Sequence, residues 1–266
     1  MPTWRPNGSR NQFAIGAVEN KNKERKKEQE VSKKNQRLAW RAGNVLHVVR
    51  VGPTTNAKIS APRVPVVQTY HFSRAQFDAA GGPVVQLMRR ELTHENCLSC
   101  PFAAGKCYTH KFTQARGFSS MLRSISRDYG SWDAIPTRSP RADIVEACAG
   151  RYVRFGSYGE PVLLPLDLVA RMADVSDSWT GYTHAWRDRA YAGYSRYYMA
   201  STADDDAGDA ERMGWREFSV RSADAKPRGY AQCPAAVEAG KRATCATCQL
   251  CSGRASRARS VSIIQH

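Results

Sequence analysis

No stretch of this chain approaches the run of about 18 apolar residues that a bilayer-spanning helix needs. Its first residues, MPTWRPNGSRNQ, hold neither the apolar segment nor the small-residue cleavage site of a secretory leader. From these two absences a cytoplasmic protein with no membrane partner is expected. Negative charge is also scarce: 24 Asp and Glu stand against 40 Lys and Arg, for a formal net charge of +16 over 266 residues. A chain so short of carboxylates is a natural partner for a polyanion, because clustered Lys and Arg release counterions from phosphates. Nucleic acid is therefore the expected partner, against the plainer reading of a basic tail that only keeps the protein in solution. Oligomeric state is not legible in the composition.

Cysteine is abundant and patterned. The segment NCLSCPFAAGKCYTH carries Cys97, Cys100 and Cys107 in a C-x2-C-x6-C spacing. Two thiolates two residues apart can grip one metal from a single turn, and a third closes three sides of a tetrahedron. The fourth position falls to His110, to His94, to a distant cysteine or to a non-protein molecule. A second group, Cys233, Cys245, Cys248 and Cys251, supplies four thiols within nineteen residues and satisfies a tetrahedral site unaided. In a chain without a leader such spacings read as metal ligands rather than disulfides. Thiolates suit both zinc and iron–sulfur, so softness does not choose between them. Cys148 stands alone on a predicted helix and reads as a core residue.

The chain divides into three parts. Residues 1–40 form a basic tail, with Lys26, Lys27, Lys33 and Lys34 among its charges; it has almost nothing to bury and is expected to be disordered alone, or an arm for nucleic acid. Residues 41–230 read as an α/β domain holding the first cysteine loop, and 231–266 as a cysteine-rich metal-binding segment. Val45–Val51 and Val64–Tyr70 are β-branched runs that predict strands. Pro83–Glu95 predicts a helix delivering the chain to Cys97, and Thr113–Tyr129 another. Beyond Pro140 helices (141–149, 165–175, 204–213) alternate with strands (152–156, 180–186, 197–200, 215–220), and a last strand covers 261–264. That alternation argues for an incomplete (β/α) barrel or an open, mostly parallel sheet.

In such sheets chemistry gathers at the carboxyl ends of strands. Glu160 follows the strand YVRFG, and His184 lies in Gly-Tyr-Thr-His; both are candidate catalytic groups, a carboxylate facing a crevice and an imidazole that titrates near neutrality. Their plainer roles are a helix cap and a hydrogen-bonded core histidine. A parallel sheet would bring Glu160, His184 and Ser201 to one face with both cysteine groups. Asp204, Asp205 and Asp206 read as a helix start rather than a cation site. The stretch Tyr182–Tyr198 interleaves Trp186, Tyr191, Tyr194 and Tyr197 with Arg187, Arg189 and Arg196, a combination that can stack bases and hold phosphates, or simply alternate core with surface.

The cysteine loop ahead of an α/β alternation, with a strand running into Tyr158-Gly159-Glu160-Pro161, resembles the radical SAM enzymes. The resemblance implies a 4Fe-4S cluster on Cys97, Cys100 and Cys107 whose open iron takes S-adenosylmethionine. Tyr158, Gly159, Glu160 and Pro161 would stand at that family's Gly-Gly-Glu-Pro segment, with Tyr158 replacing a glycine, and the C-terminal cysteines would resemble auxiliary clusters. The spacing differs from the family's C-x3-C-x2-C. The Cys-Pro, Tyr-Gly-Glu-Pro and Cys-x2-Cys-x-Leu-Cys stretches are also similar to those of uncharacterised phage and mobile-element proteins. Three functions are thus open: a radical-SAM-like enzyme acting on a nucleic acid or nucleotide, a zinc-stapled nucleic-acid-binding module without catalysis, and a mobile-element protein that binds a host factor.

Overall fold

The computed structural model describes residues 36–61, 63–87, 89–98, 100–103, 107, 109, 112–225, 229–240 and 243–265. Lys26, Lys27, Lys33, Lys34 and His110 lie outside them. The chain opens with β1 (Arg37–Ala42) and β2 (Val45–Pro53), joined by a two-residue turn in which Gly43 has φ +55°. A positive φ in that turn matches the right-handed twist of the flanking strands, and glycine adopts it without steric cost. β1 therefore begins inside the stretch read as tail.

Next come β3 (Pro65–Ser73), α1 (Arg74–Asp78), α2 (Val84–Leu87), α3 (Arg90–Cys97) and α4 (Phe112–Tyr129). The single helix expected over 83–95 is broken: Arg89 is extended, with φ −69° and ψ 146°, and starts α3 as its cap. α5 (Arg141–Cys148), β4 (Tyr152–Tyr158), α6 (Leu166–Val175) and β5 (Ser178–Thr183) follow. β5 stops before His184, which turns instead into a short 3-10 segment, Ala185–Arg187. β6 (Met199–Ala203), α7 (Asp209–Arg212), β7 (Glu217–Arg221), β8 (Ala231–Gln232), α8 (Cys245–Cys248) and β9 (Val261–Ile264) complete the order. The helix expected over 204–213 is interrupted at Gly208, whose φ of +94° ends the first turn.

These strands form one nine-stranded sheet in the order β1-β2-β3-β4-β5-β6-β7-β9-β8. The first three are antiparallel and every later pairing is parallel. The protein is thus α/β with an open, mostly parallel sheet, and β3 to β7 lie in sequence order as successive β/α units do. β8 and β9 add to the same sheet, so the C-terminal segment is built onto it.

Alternation along the strands buries both faces. Val153 and Phe155 of β4 pack with Ile144 and Cys148 of α5 and with Leu168 and Met172 of α6. Tyr70 and Phe72 of β3 point the other way, against Leu122 and Ile125 of α4. Each such large side chain contributes roughly 1.5–3 kcal/mol by leaving water. Cys148, fully buried in the first cluster, is the core residue its sequence position implied.

His47 of β2 and His71 of β3 face each other through the core, Nδ1 to Nδ1 at 3.0 Å, with Trp40 stacked on His47 at 5.0 Å. Burial pulls the His47 imidazole down to about 4, and burial together with His47 holds His71 well below the usual range. A histidine whose folded pKa is depressed loses stability as pH falls: the unfolded chain takes up the proton near pH 6.5, the folded one near 4. His47 alone then costs roughly 3 kcal/mol between those two pH values. Thermal unfolding at pH 7 and pH 5 is expected to show a marked fall in Tm for the wild type and a shallower one for His47→Gln; equal slopes would refute this origin.

Candidate metal centre

The carboxyl end of β4 is held by a close approach of three backbones. Gly159 has φ +74°, and a Cβ there would lie 2.6 Å from the His71 carbonyl oxygen and 3.0 Å from that of Asn96. Only glycine fits. Immediately after it, the Glu160 N–H donates to the Asn96 carbonyl at 2.8 Å, while Asn96 Nδ2 donates to the His71 carbonyl at 2.7 Å. The end of α3 is thereby tied to β3 and β4, and the next residue is Cys97.

At Leu98 the chain reverses through a left-handed conformation, φ +48°. Two tight turns follow, with the Cys100 N–H on the Cys97 carbonyl at 3.0 Å and the Ala103 N–H on the Cys100 carbonyl at 3.2 Å. Cys97, Cys100 and Cys107 share one electrostatic neighbourhood. Burial first, then the Cys100 and Cys107 thiols and the Glu160 carboxylate, push the Cys97 thiol up to about 12 against a hydrogen bond from Thr93. The Cys107 thiol also meets the Thr109 hydroxyl at 3.0 Å.

Glu160 and His184 come together as the parallel sheet predicted. The carboxylate is only 3% exposed. It accepts from the Thr183 hydroxyl at 2.7 Å, from the His184 N–H at 3.1 Å and from His184 Nδ1 at 2.9 Å. Burial pulls the His184 imidazole down, but hydrogen bonds to Cys100 and Glu160 and their charges outweigh it and hold its pKa well above the usual range. Phe102 covers the ring edge-on at 5.4 Å. Among the described residues, Cys100, Glu160 and His184 form a set of three donor atoms all within 4.8 Å of one another. Sulfur, oxygen and nitrogen in that span can bind a single ion. Without one, the same atoms are a thiol, a base and its orienting carboxylate, although two further thiols are more than nucleophilic catalysis requires.

Tyr158 does not face this group. Its ring is buried between Phe72 and Phe118 and its hydroxyl accepts from Gln76 at 2.7 Å, so its contribution is packing. Pro161 opens a 3-10 turn and fills the space over Gly156. Thr183 and Asn96, which hold Glu160 in place, were overlooked in the sequence, although each adjoins a residue singled out there.

The second cysteine group lies elsewhere. The Cys245 and Ala246 N–H groups donate to the Lys58 and Ile59 carbonyls, and Cys245 packs with Val66 and Tyr152, the first turns of β3 and β4. Cys233 and Cys251 pack with Met199 and Val261, where β6 and β9 begin. This group therefore sits at the amino ends of the strands, not at the face shared by Glu160, His184 and the first loop as expected, because α8 and the segment before β9 return the chain to the opposite end of the sheet. Its thiols influence one another: burial pushes Cys251 up to about 12, with Cys245, Cys233 and Cys248 adding to it and a hydrogen bond from Tyr182 opposing. All eight cysteines are free thiols.

Spacing bears on what these thiols fit. Sulfurs around one zinc lie about 3.8 Å apart, given Zn–S near 2.3 Å. On a cubane iron–sulfur cluster they are wider, about 6.5 Å. Among the described residues, no three of the C-terminal thiols close to within 4.8 Å of each other, and neither do Cys97, Cys100 and Cys107.

The aromatic stretch is no stacking platform. Trp186 and Tyr194 are buried core side chains, and Tyr191 and Tyr197 pack against them. The arginines between them are exposed, with Arg187 paired to Asp206 at 2.6 Å and laid over Trp186. Arg189 is exposed beside it, and Arg196 lies near the Tyr197 ring. Asp204 accepts from Ser222 and Asp206 from the Ala203 N–H, so these carboxylates hold local turns. Among the described residues no helix is long and apolar enough to cross a membrane. Compared with known proteins, the chain matches no family model, no curated protein and no solved structure.

Gly159→Ala is expected to cost several kcal/mol, a strained φ of about 1 kcal/mol plus a clash that only backbone movement relieves. Gly130→Ala shares the positive φ, +72°, but meets nothing within 4 Å and should cost about 1 kcal/mol. Urea midpoints of the two variants check this; similar midpoints would deny the close approach its importance.

Proposed function

We propose that the protein is an iron–sulfur, radical-SAM-like enzyme acting on a nucleic acid or nucleotide. One observation carries this reading: the thiols of Cys97, Cys100 and Cys107 gather beside Glu160 and His184 at the carboxyl ends of consecutive parallel strands. Cys97, Cys100 and Cys107 would hold a 4Fe-4S cluster. These residues would thereby place next to Glu160 a group whose chemistry, when bound, would be electron supply for reductive cleavage of S-adenosylmethionine. Glu160 already accepts from three donors, the His184 N–H being shared between its two oxygens. A carboxylate has about four acceptor positions, which leaves one for the amino group of that cofactor. His184 and Thr183 orient the carboxylate, and Gly159 lets it sit against the loop. The Cys233, Cys245, Cys248 and Cys251 group would hold a second cluster. The excess of positive charge supports a polyanionic substrate.

A second reading rests on the tight set of Cys100, Glu160 and His184, whose span of 4.8 Å suits a single ion such as zinc. Here the protein is a metal-stapled nucleic-acid-binding module.

Protein purified without oxygen is expected to be brown, to absorb near about 400 nm and to contain iron and sulfide. Cys97→Ala/Cys100→Ala should lose roughly half of the iron and keep the C-terminal share. Colourless protein with zinc in stoichiometric amount would replace the first reading by the second.

A further inference from the structure

Three loops that feed parallel strands meet at the amino end of the sheet, beside the second cysteine group. The 3-10 segment Arg189–Arg196 leads into β6, the turn after α7 into β7, and residues 253–259 into β9. Gly253 fastens the last of these to the first. Its φ is +57°, and a Cβ there would lie 2.6 Å from the Tyr198 nitrogen and 2.8 Å from the carbonyl carbon of Arg196. Arg216, at the approach to β7, then pins the loop at both ends: one guanidinium nitrogen donates to the Gly253 carbonyl at 2.7 Å and another to that of Arg259. Held between these points, Arg254, Arg257 and Arg259 are all exposed, and so is Arg196 across the glycine contact. The Arg254 guanidinium lies 3.9 Å from where a Cβ on Gly214 would stand, so it reaches over the turn before β7.

Residues 239–266 contain no Asp or Glu, and the carboxylates brought to this end by α7 are engaged: Asp209 pairs with Arg212, and Glu211 accepts from the Ser260 hydroxyl. A basic end that only kept the protein in solution would need neither the glycine contact nor a partly buried guanidinium committed to two backbone carbonyls. Fixing the loop removes in advance the ordering cost that a flexible basic segment meets on binding. Guanidinium forks match phosphate oxygens two at a time. The loop sequence, SGRASRARS, sets only small side chains between its arginines. Such a segment has no Trp, Phe or Leu to bury in a membrane interface, whereas small spacers let a phosphodiester backbone come close. We infer that this loop, with Arg196, is a docking surface for the phosphate backbone of a nucleic acid. It lies at the end of the sheet away from Glu160, so it holds the polymer and takes no part in the chemistry proposed there. The inference uses no cysteine side chain and does not depend on the metal reading.

The test is fluorescence anisotropy with labelled mixed-sequence oligonucleotides, as single-stranded DNA, as the same strand in RNA and as the DNA duplex, each titrated with the full chain over a range of salt concentrations. Arg254→Gln/Arg257→Gln/Arg259→Gln is expected to bind the preferred oligonucleotide at least tenfold more weakly at about 0.15 M salt. It should also lower the slope of log K against log salt by about two to three, since each phosphate contact contributes roughly 0.7–0.9. Arg127→Gln/Arg138→Gln/Arg171→Gln removes the same charge from exposed positions on α4, the loop before α5 and α6, and should keep the wild-type slope. The oligonucleotide bound best identifies the partner as DNA or RNA, single or paired, and each of these supports the surface. If the loop variant does not fold, Arg257→Glu decides the matter: a change at that one exposed position should weaken binding several-fold with unchanged Tm. Equal slopes for wild type and the loop variant, or equal losses in the two triple variants, would overturn the assignment. So would failure of every oligonucleotide to bind, including the case in which phosphatidylserine vesicles bind through the same loop instead. Because no iron is measured, a colourless protein that still docks through this loop would end the cluster reading and leave this one standing.

Discussion

The arrangement of the whole site depends on how closely three backbones meet at Gly159. Had that residue carried a side chain, the end of β4 could not reach the His71 and Asn96 carbonyls, and the Glu160 N–H would lose its acceptor. Because it can, one short segment fixes the carboxyl end of a strand, the exit of α3 and the first residue of the cysteine loop together. The geometry of that loop is thus inherited from the sheet, which is the rigid part, and not from the loop's own short turns.

Burying a carboxylate is costly unless it is paired and hydrogen-bonded. Glu160 meets both conditions through residues of one segment: Thr183, the His184 backbone and the His184 ring. The Thr183 hydroxyl in turn accepts from the Ala185 N–H at 3.0 Å, which fixes the rotamer that serves Glu160. This explains why β5 ends at Thr183. Continuing the strand through His184, as its sequence pattern suggested, would carry the His184 N–H into the ladder and away from the carboxylate.

Much of the architecture was legible because it rests on local pattern. The β-branched run at 45–51, the amphipathic 112–129 and the alternation after Pro140 correspond to elements within a few residues. Pairing of Glu160 with His184 followed from their places at ends of neighbouring parallel strands. What was not legible depends on contacts far apart in sequence. β1 is a hexapeptide that follows directly on the basic run and becomes a strand by pairing with β2. The second cysteine group resembled a partner of the first in chemistry, but its place is set by hydrogen bonds from α8 to residues 58 and 59, which no spacing rule reveals. The aromatic stretch had the composition of a stacking surface, yet Trp186 donates to the Ser201 carbonyl and Tyr194 to that of Leu164, so their polar tips are used inside the core.

The two ends of the sheet pose the same electrostatic problem. At each end, burial first and then the neighbouring thiols push a cysteine pKa up, because a thiolate in a poorly solvated site beside others like it is disfavoured. Such a set is unfavourable to ionise alone and becomes favourable when a cation supplies the missing charge. Burial pushes the Cys245 thiol up, and Arg154 of β4, which also lies over the Tyr182 ring, opposes it together with Lys58. A cation bound among these thiols would therefore take over the compensation that Arg154 and Lys58 otherwise supply to Cys245.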